Sequence, residues 1–274
     1  SMKIKHILFV LLLSTLIWSC SEVGPKINLA QTDRVVLVEE FTGVQCVNCP
    51  DGSKKLQEVL DVHGDKLVTI SIHGGGFAVP LPESHYDFKT DDGNELLPYL
   101  NAPNNGPIGY PSAIINRKWF AGQQDRMLFL NEWAGFIAAE LQEAPKVRID
   151  MTKNYNTTNR ELQVDLDLFF FEAIDNDVNI SIVITEDDIV DYQKDTNGKV
   201  PDYVHKHVLR DVITTNYRGD LVASNVPANG SYSFNYKYVL PDTWHSENCH
   251  IVAFVNRNDG GTLDVLQATQ AHLE

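Results

Sequence analysis

Along residues 33–143, short unbroken apolar runs alternate with stretches in which apolar positions recur every three or four residues. That mixture predicts α/β structure with a parallel or mixed sheet. Residues 34–41 (RVVLVEEF) read as a buried strand, and 67–73 (LVTISIH) as a second one running into Gly74-Gly75-Gly76. Between them, 51–63 place Leu56, Val59, Leu60 and His63 on one side of a helix. Residues 112–117 (SAIINR) predict a third strand. Residues 124–142 predict an amphipathic helix with Met127, Leu130, Trp133, Ile137 and Leu141 on a common face, stopped by Pro145. The segment 77–107, rich in Pro, Gly, Asn and Asp, predicts an inserted loop with at most a short helix at 95–100.

From Lys146 the period changes to two. Residues 147–151, 162–168, 178–184, 232–238 and 251–255 each alternate as half-buried strands do. Asn156 to Asn159, Asn197-Gly198, Asn229-Gly230 and Asn258 to Gly261 supply turn chemistry between them. Short alternating strands without a strong helix predict an antiparallel sandwich of immunoglobulin-like type over 145–274. The expected fold is therefore an α/β domain, 32–144 with 77–107 inserted, followed by an all-β Ig-like sandwich.

The N-terminus has its own pattern. Lys3, Lys5 and His6 lead into an apolar run from Ile7 through Trp18 that ends at Ser19-Cys20-Ser21. A basic start, a core short for a membrane span and small residues at its end predict a signal peptide over 1–20. A small residue before a cysteine at that place resembles a bacterial lipobox, making Cys20 the expected lipidation site and 21–31 a tether. The formal net charge is −15, and removal of Lys3 and Lys5 makes it more negative. Such a chain lacks the basic face that nucleic acids or anionic lipids require, so membrane attachment is expected through N-terminal acyl chains and no nucleic-acid partner is expected. Oligomeric state is not encoded in any pattern here.

The sequence holds four cysteines, of which Cys46 and Cys49 form a CxxC just past the first strand and at the start of the first helix. Unpaired N–H groups and the positive end of the helix dipole favour a thiolate there, so Cys46 is the candidate nucleophile. Cys49, one helical turn on, can close a disulfide with it or resolve a mixed disulfide. Cys249 opens an apolar strand and reads as a small buried hydrophobe.

VLVEEFTGVQCVNCP (36–50) with YPSAIINR (110–117) resembles the thioredoxin superfamily. More narrowly, Thr42-Gly43, Cys46 to Pro50, Tyr110 to Arg117, Asp202 to Arg210 and the closing Val252 to Val255 with Val265-Leu266-Gln267 resemble the Omp28-related lipoproteins of Bacteroidetes. The resemblance implies a thioredoxin-like N-terminal domain on an outer membrane lipoprotein of the envelope, its periplasmic or surface face undetermined. It also implies a cis-proline at Pro111, with Tyr110 beside it, where an extended thiol- or disulfide-containing protein substrate docks. Glu40, six residues before Cys46, takes the place of a buried carboxylate that removes the proton of the second thiol, the other reading of this residue being a strand-end carboxylate that reaches solvent. Val47-Asn48 between the cysteines leaves reductase, oxidase and isomerase directions open. Two readings follow: a thiol–disulfide oxidoreductase, or a lipid-anchored binding or adhesion protein whose CxxC is a structural disulfide.

His205 and His207, expected to share a strand face near Asp202, and the later His245 and His250, fall short of zinc-motif spacing. Residues 193–198 match a calcium loop only in the middle, and turn chemistry accounts for them better. No metal site and no cofactor is expected.

Overall fold

The computed structural model describes residues 33–101 and 109–274. The expected signal peptide, Cys20 and the tether lie outside the described residues, as do 102–108 of the expected loop. Strands outweigh helices: β1 (Val36–Thr42), β2 (Leu67–His73), β3 (Ser112–Ile115), β4 (Val147–Asn156), β5 (Glu161–Phe170), β6 (Ile174–Glu186), β7 (Ile189–Asp195), β8 (Gly198–His205), β9 (Val208–Val212), β10 (Asp220–Val226), β11 (Ser231–Val239), β12 (Cys249–Arg257) and β13 (Val265–His272). The helices are α1 (Cys49–His63), α2 (Asp91–Asn101) and α3 (Trp133–Glu140).

β1 is buried along its whole length, and its pleat divides its residues between two cores. Val36 and Val38 pack with Leu56 and Val59 of α1 and Trp133 and Ile137 of α3. Leu37 and Phe41 face the other way, toward Leu96, Leu97 and Leu100 of α2 and Val252 and Phe254 of β12. β2 runs parallel to β1, and β3 antiparallel to it. Beyond β2 the sheet continues through β9, β6, β12 and β13, with β10 also paired to β6. The link between β2 and β9 is narrow, a single Ser71–Val208 pairing, in which the Ser71 N–H donates to the His207 carbonyl at 2.7 Å. One sheet thus crosses the boundary expected between 144 and 145, and Gln31–Glu274 forms one compact unit.

A second sheet, β11-β5-β4, covers the opposite face of β6 and β12. The inward-facing residues of β5, Leu162, Val164, Leu166 and Leu168, pack on Ile180, Ile182, Ile184, Ile251 and Val255. β12 is therefore buried on both faces, which is why it reads as a continuous apolar run.

Three sequence expectations need correction. The helix predicted over 124–142 forms only at Trp133–Glu140. Upstream, the Asp125 carboxylate accepts from the Met127 N–H, and Leu128 exchanges both backbone hydrogen bonds with Ala113 at the edge of β3, so tertiary pairing overrides the helical period. The loop 77–107 contains a longer helix than expected, α2, because Leu96, Leu97 and Leu100 find a core to enter. His205 and His207 do not share a strand face: β8 ends at His205, and His207 adopts φ 55° in the turn to β9.

The two β-rich halves are pinned by buried charge. Arg117 makes a two-pronged pair with Glu39, Nε to Oε2 at 2.9 Å and Nη2 to Oε1 at 2.7 Å, both side chains 1% exposed. Its guanidinium also lies over the Phe254 ring at 4.6 Å. Arg34 donates to the Val265 carbonyl at 2.8 Å and approaches Glu140 at 3.5 Å. Removing one member of such a pair strands the other charge in the core. Arg117→Met is expected to lose about 3–5 kcal/mol in urea unfolding, whereas the Glu39→Leu/Arg117→Met pair loses less; a single-variant loss within experimental error of zero would contradict the assignment.

Candidate redox site

The site forms where β1 leaves the sheet. Gly43 is required there by close approach, since a Cβ at that position would lie 2.4 Å from the Phe77 backbone carbonyl. The Gln45 N–H donates to that same carbonyl at 2.9 Å, and the Cys46 N–H turns back to the Gly43 carbonyl at 3.0 Å. Cys46 and Cys49 are joined by a disulfide, with Cα atoms 5.4 Å apart. Cys49 opens α1, Pro50 occupies the first turn where its missing N–H costs nothing, and Asp51 follows. Cys46 is 3% exposed and Cys49 1%, while Val47 between them is 44% exposed.

The Tyr110–Pro111 peptide is cis. Tyr110 donates its hydroxyl to the Gly74 carbonyl at 2.9 Å, its ring lies 5.4 Å from that of Phe77, and burial raises its pKa. Two grooves flank it. One, of about 720 Å³, is lined by Asn48, Tyr110, Pro111, Phe129 and Leu130. The other, of about 520 Å³, is lined by Gln45, Gly76, Phe77, Leu97 and Tyr110.

Glu40 points to the α1 side of β1 and is fully buried. Its Oε2 accepts from the Ser71 hydroxyl at 2.9 Å, while Oε1 has no hydrogen-bond partner among the described residues. A Cβ on Gly52 would stand 2.7 Å from that free oxygen and 2.6 Å from Pro111 Cβ. Glu40 and Pro111 therefore meet under the turn of α1 that follows Cys49, and Gly52 leaves them room. Burial pushes the Glu40 carboxyl up to about 7, against a smaller opposing effect of the Ser71 bond. A cavity of about 370 Å³, lined by Glu40, Ser71, Ser53, Tyr203 and Lys206, reaches it from the other side.

Residues that sequence reasoning missed come from β7. Gln193 Nε2 donates to the carbonyls of Cys46 at 3.0 Å and Gly43 at 3.2 Å. The Lys194 N–H donates to Val44 O at 2.8 Å, and Lys194 Nζ to Gln45 Oε1 at 3.1 Å. Asp191, with no solvent exposure, accepts from the backbone N–H groups of His85 and Tyr86. These contacts span more than a hundred residues, and no local pattern signals them, because Ile189 to Gln193 (IVDYQ) alternates in burial but not in polarity. Residues 193–198, calcium-like only in their middle, form the end of β7 and the turn into β8.

The histidines are scattered. His73 and His205 stand 5.7 Å apart beside Phe88, and burial pushes them down to about 3 and about 4. His207 turns toward Asp187 at 3.2 Å. No group of three or more metal-ligating side chains converges among the described residues. Cys249 is buried and free of any disulfide, its thiol pushed up to about 12 by burial.

The fold and site define a β-rich protein with a buried CxxC disulfide at the mouth of a helix. The chain belongs to the Omp28 family: the family profile described as "Outer membrane protein Omp28" matches residues 103–274. That match begins after the two cysteines, so it does not cover them. Among solved structures, HBP35 of Porphyromonas gingivalis is similar at a TM-score of 0.68 and 15% identity, covering 88% of this chain and 76% of its own. A structural-genomics protein from Agrobacterium tumefaciens is similar at 0.53 and 14%, covering 89% and 97%. At these identities the likeness concerns the fold alone. A domain of the outer membrane lipoprotein Omp28 from Porphyromonas gingivalis overlays 47% of this chain and 88% of its own at 18% identity, with a TM-score of 0.31. No curated protein matches the chain. Among the described residues no helix is long and apolar enough to cross a membrane.

The Glu40 shift sets a sign for pH dependence. The folded carboxyl holds its proton up to about 7 against an ordinary 4.5, so the unfolded chain binds fewer protons in that window and Glu40's contribution to stability declines as pH rises through it. The difference is on the order of 3 kcal/mol. His73 and His205, whose folded pKa values are lowered, act oppositely below their ordinary 6.5, so the comparison must be between variants. Glu40→Gln is expected to gain stability relative to wild type between pH 4.5 and 8 by unfolding titration; a pH-independent difference would refute the shift.

Proposed function

We propose that this chain is an envelope thiol–disulfide oxidoreductase with a thioredoxin-like N-terminal half (32–144), an Ig-like C-terminal half (145–274) and a lipid anchor at Cys20. The observation that carries the reading is Glu40. A fully buried carboxyl with one oxygen unpartnered among the described residues is costly, and a disulfide that only braces the fold needs none. A proton acceptor poised near neutrality, one turn below Cys49, suits general-base chemistry on that thiol.

In the reducing direction, the Cys46 thiolate attacks a substrate disulfide, forming a mixed disulfide and releasing one substrate sulfur as a thiol. Glu40 takes the proton of Cys49, whose thiolate attacks Cys46 Sγ. The second substrate sulfur leaves, and two electrons have passed from the Cys46–Cys49 pair to the substrate. The reverse sequence oxidises a substrate dithiol. Exposed Val47, Phe77 and Phe129 around Tyr110 and Pro111 offer apolar contacts to an extended polypeptide. The 3% exposure of Cys46 favours a second reading, in which the pair is a structural disulfide of a binding or adhesion protein.

Insulin-disulfide reduction with a chemical electron donor separates the two. Cys46→Ser is expected to abolish turnover, Cys49→Ser to accumulate substrate-linked adducts at Cys46, and Glu40→Gln to slow release of that adduct about 10²-fold without blocking its formation. Negligible activity in the wild type, with a disulfide that resists reduction in the folded protein, would establish the structural reading instead.

A further inference from the structure

The antiparallel register of β12 and β13 places His250 directly opposite His272. Their Nε2 atoms stand 3.1 Å apart, with ring centroids 4.0 Å apart and planes inclined by 47°. β13 ends the large sheet, and His272 is exposed on it.

The surroundings fix the chemistry of the gap. The His250 Nδ1 faces Asp187 Oδ2 at 3.8 Å, and the Asp187 N–H donates to the Asn248 carbonyl at 2.9 Å. Asp187 is itself held in place by the His207 N–H at 2.5 Å and His207 Nδ1 at 3.2 Å. A ring with its proton on Nδ1 presents a bare lone pair from Nε2. A carboxylate behind the far nitrogen is a usual outer partner of a metal-ligating imidazole.

Two imidazole nitrogens bound to one ion at about 2.05 Å lie about 2.9 Å apart at a right angle and about 3.3 Å apart at the tetrahedral angle. The nitrogen spacing here falls between these limits, and aiming both lone pairs at one ion requires the ring centroids to open from 4.0 Å to about 4.8 Å, a rotation the exposed His272 ring is free to make. We propose that His250 and His272 together hold one divalent transition-metal ion of the zinc, nickel or copper class at the β12–β13 edge, with its remaining positions open to water or an outside donor. On binding, the proton between the two Nε2 atoms moves to His272 Nδ1, so that both Nε2 lone pairs face the ion. Imidazole selects these ions over magnesium or calcium, which prefer oxygen.

The site is independent of the CxxC, and the test uses the oxidised protein so that no cysteine thiolate of that pair competes. Chelator-stripped protein is titrated with zinc chloride by calorimetry, with magnesium chloride as the control. Zinc is expected to bind saturably at micromolar concentration with one ion per chain, and magnesium not at all. His250→Ala and His272→Ala should each weaken zinc binding about tenfold or more, Asp187→Asn should weaken it by about tenfold, and His85→Ala should leave it unchanged. In the unmutated protein, zinc should shift the ring resonances of His250 and His272 and not those of His63, a readout that does not depend on any variant folding. Absence of saturable zinc binding, or zinc affinity unaltered in His272→Ala, would overturn the proposal and leave the pair as a cross-strand hydrogen bond.

Discussion

Glu39 and Glu40 are consecutive on β1, so the pleat sends their carboxyls to opposite faces of a strand that has no exposed side. On one face Glu39 is satisfied twice over by Arg117. On the other, Glu40 has a single Ser71 hydroxyl and an oxygen left without a partner among the described residues. The same strand thus carries one neutralised buried charge that fastens β1 to the end of β3 and one un-neutralised acid that gives up its proton only near neutrality. The first holds the two halves of the large sheet together through Phe254. The second places a titrating group under the first turns of α1, and the chemistry proposed for the cysteines follows from it.

The C-terminal half takes part in shaping the site. Gln193 holds the carbonyls of Gly43 and Cys46, and Lys194 holds Val44 and Gln45, so the loop before α1 is braced by β7 as firmly as by its own turn. Asp191 in the same strand fastens the segment at His85 and Tyr86. The Tyr110 hydroxyl holds the Gly74 carbonyl. A CxxC loop braced on three sides loses little conformational entropy when it meets a partner, which favours a defined attack geometry.

Much of this is legible in the sequence where partners are local. The buried runs of β1 and β2, the amphipathic α1 and the turn residues at Asn197-Gly198 and Asn229-Gly230 all lie where period and turn chemistry put them. The helical spacing that leads through Met127 to Leu130 is genuine, yet the edge of β3 offers Leu128 two backbone hydrogen bonds and wins. Loop composition around α2 masks the three leucines that make it a helix. Gln193 reads as turn chemistry, since its partner Cys46 lies 147 residues earlier in the chain. His272 carries no signal until the β12–β13 register sets it against His250.

The proposed redox chemistry turns on the protonation of Glu40, which carbon-13 labelling of glutamate and an NMR titration of its side-chain carboxyl would read directly. The expected midpoint is near 7 in the disulfide form, with a second inflection in the reduced protein as the carboxyl and the Cys49 thiol share a proton. A midpoint near the ordinary 4.5 in both redox states would show a carboxyl that takes no part in the chemistry of the cysteines, and would contradict the role assigned to it.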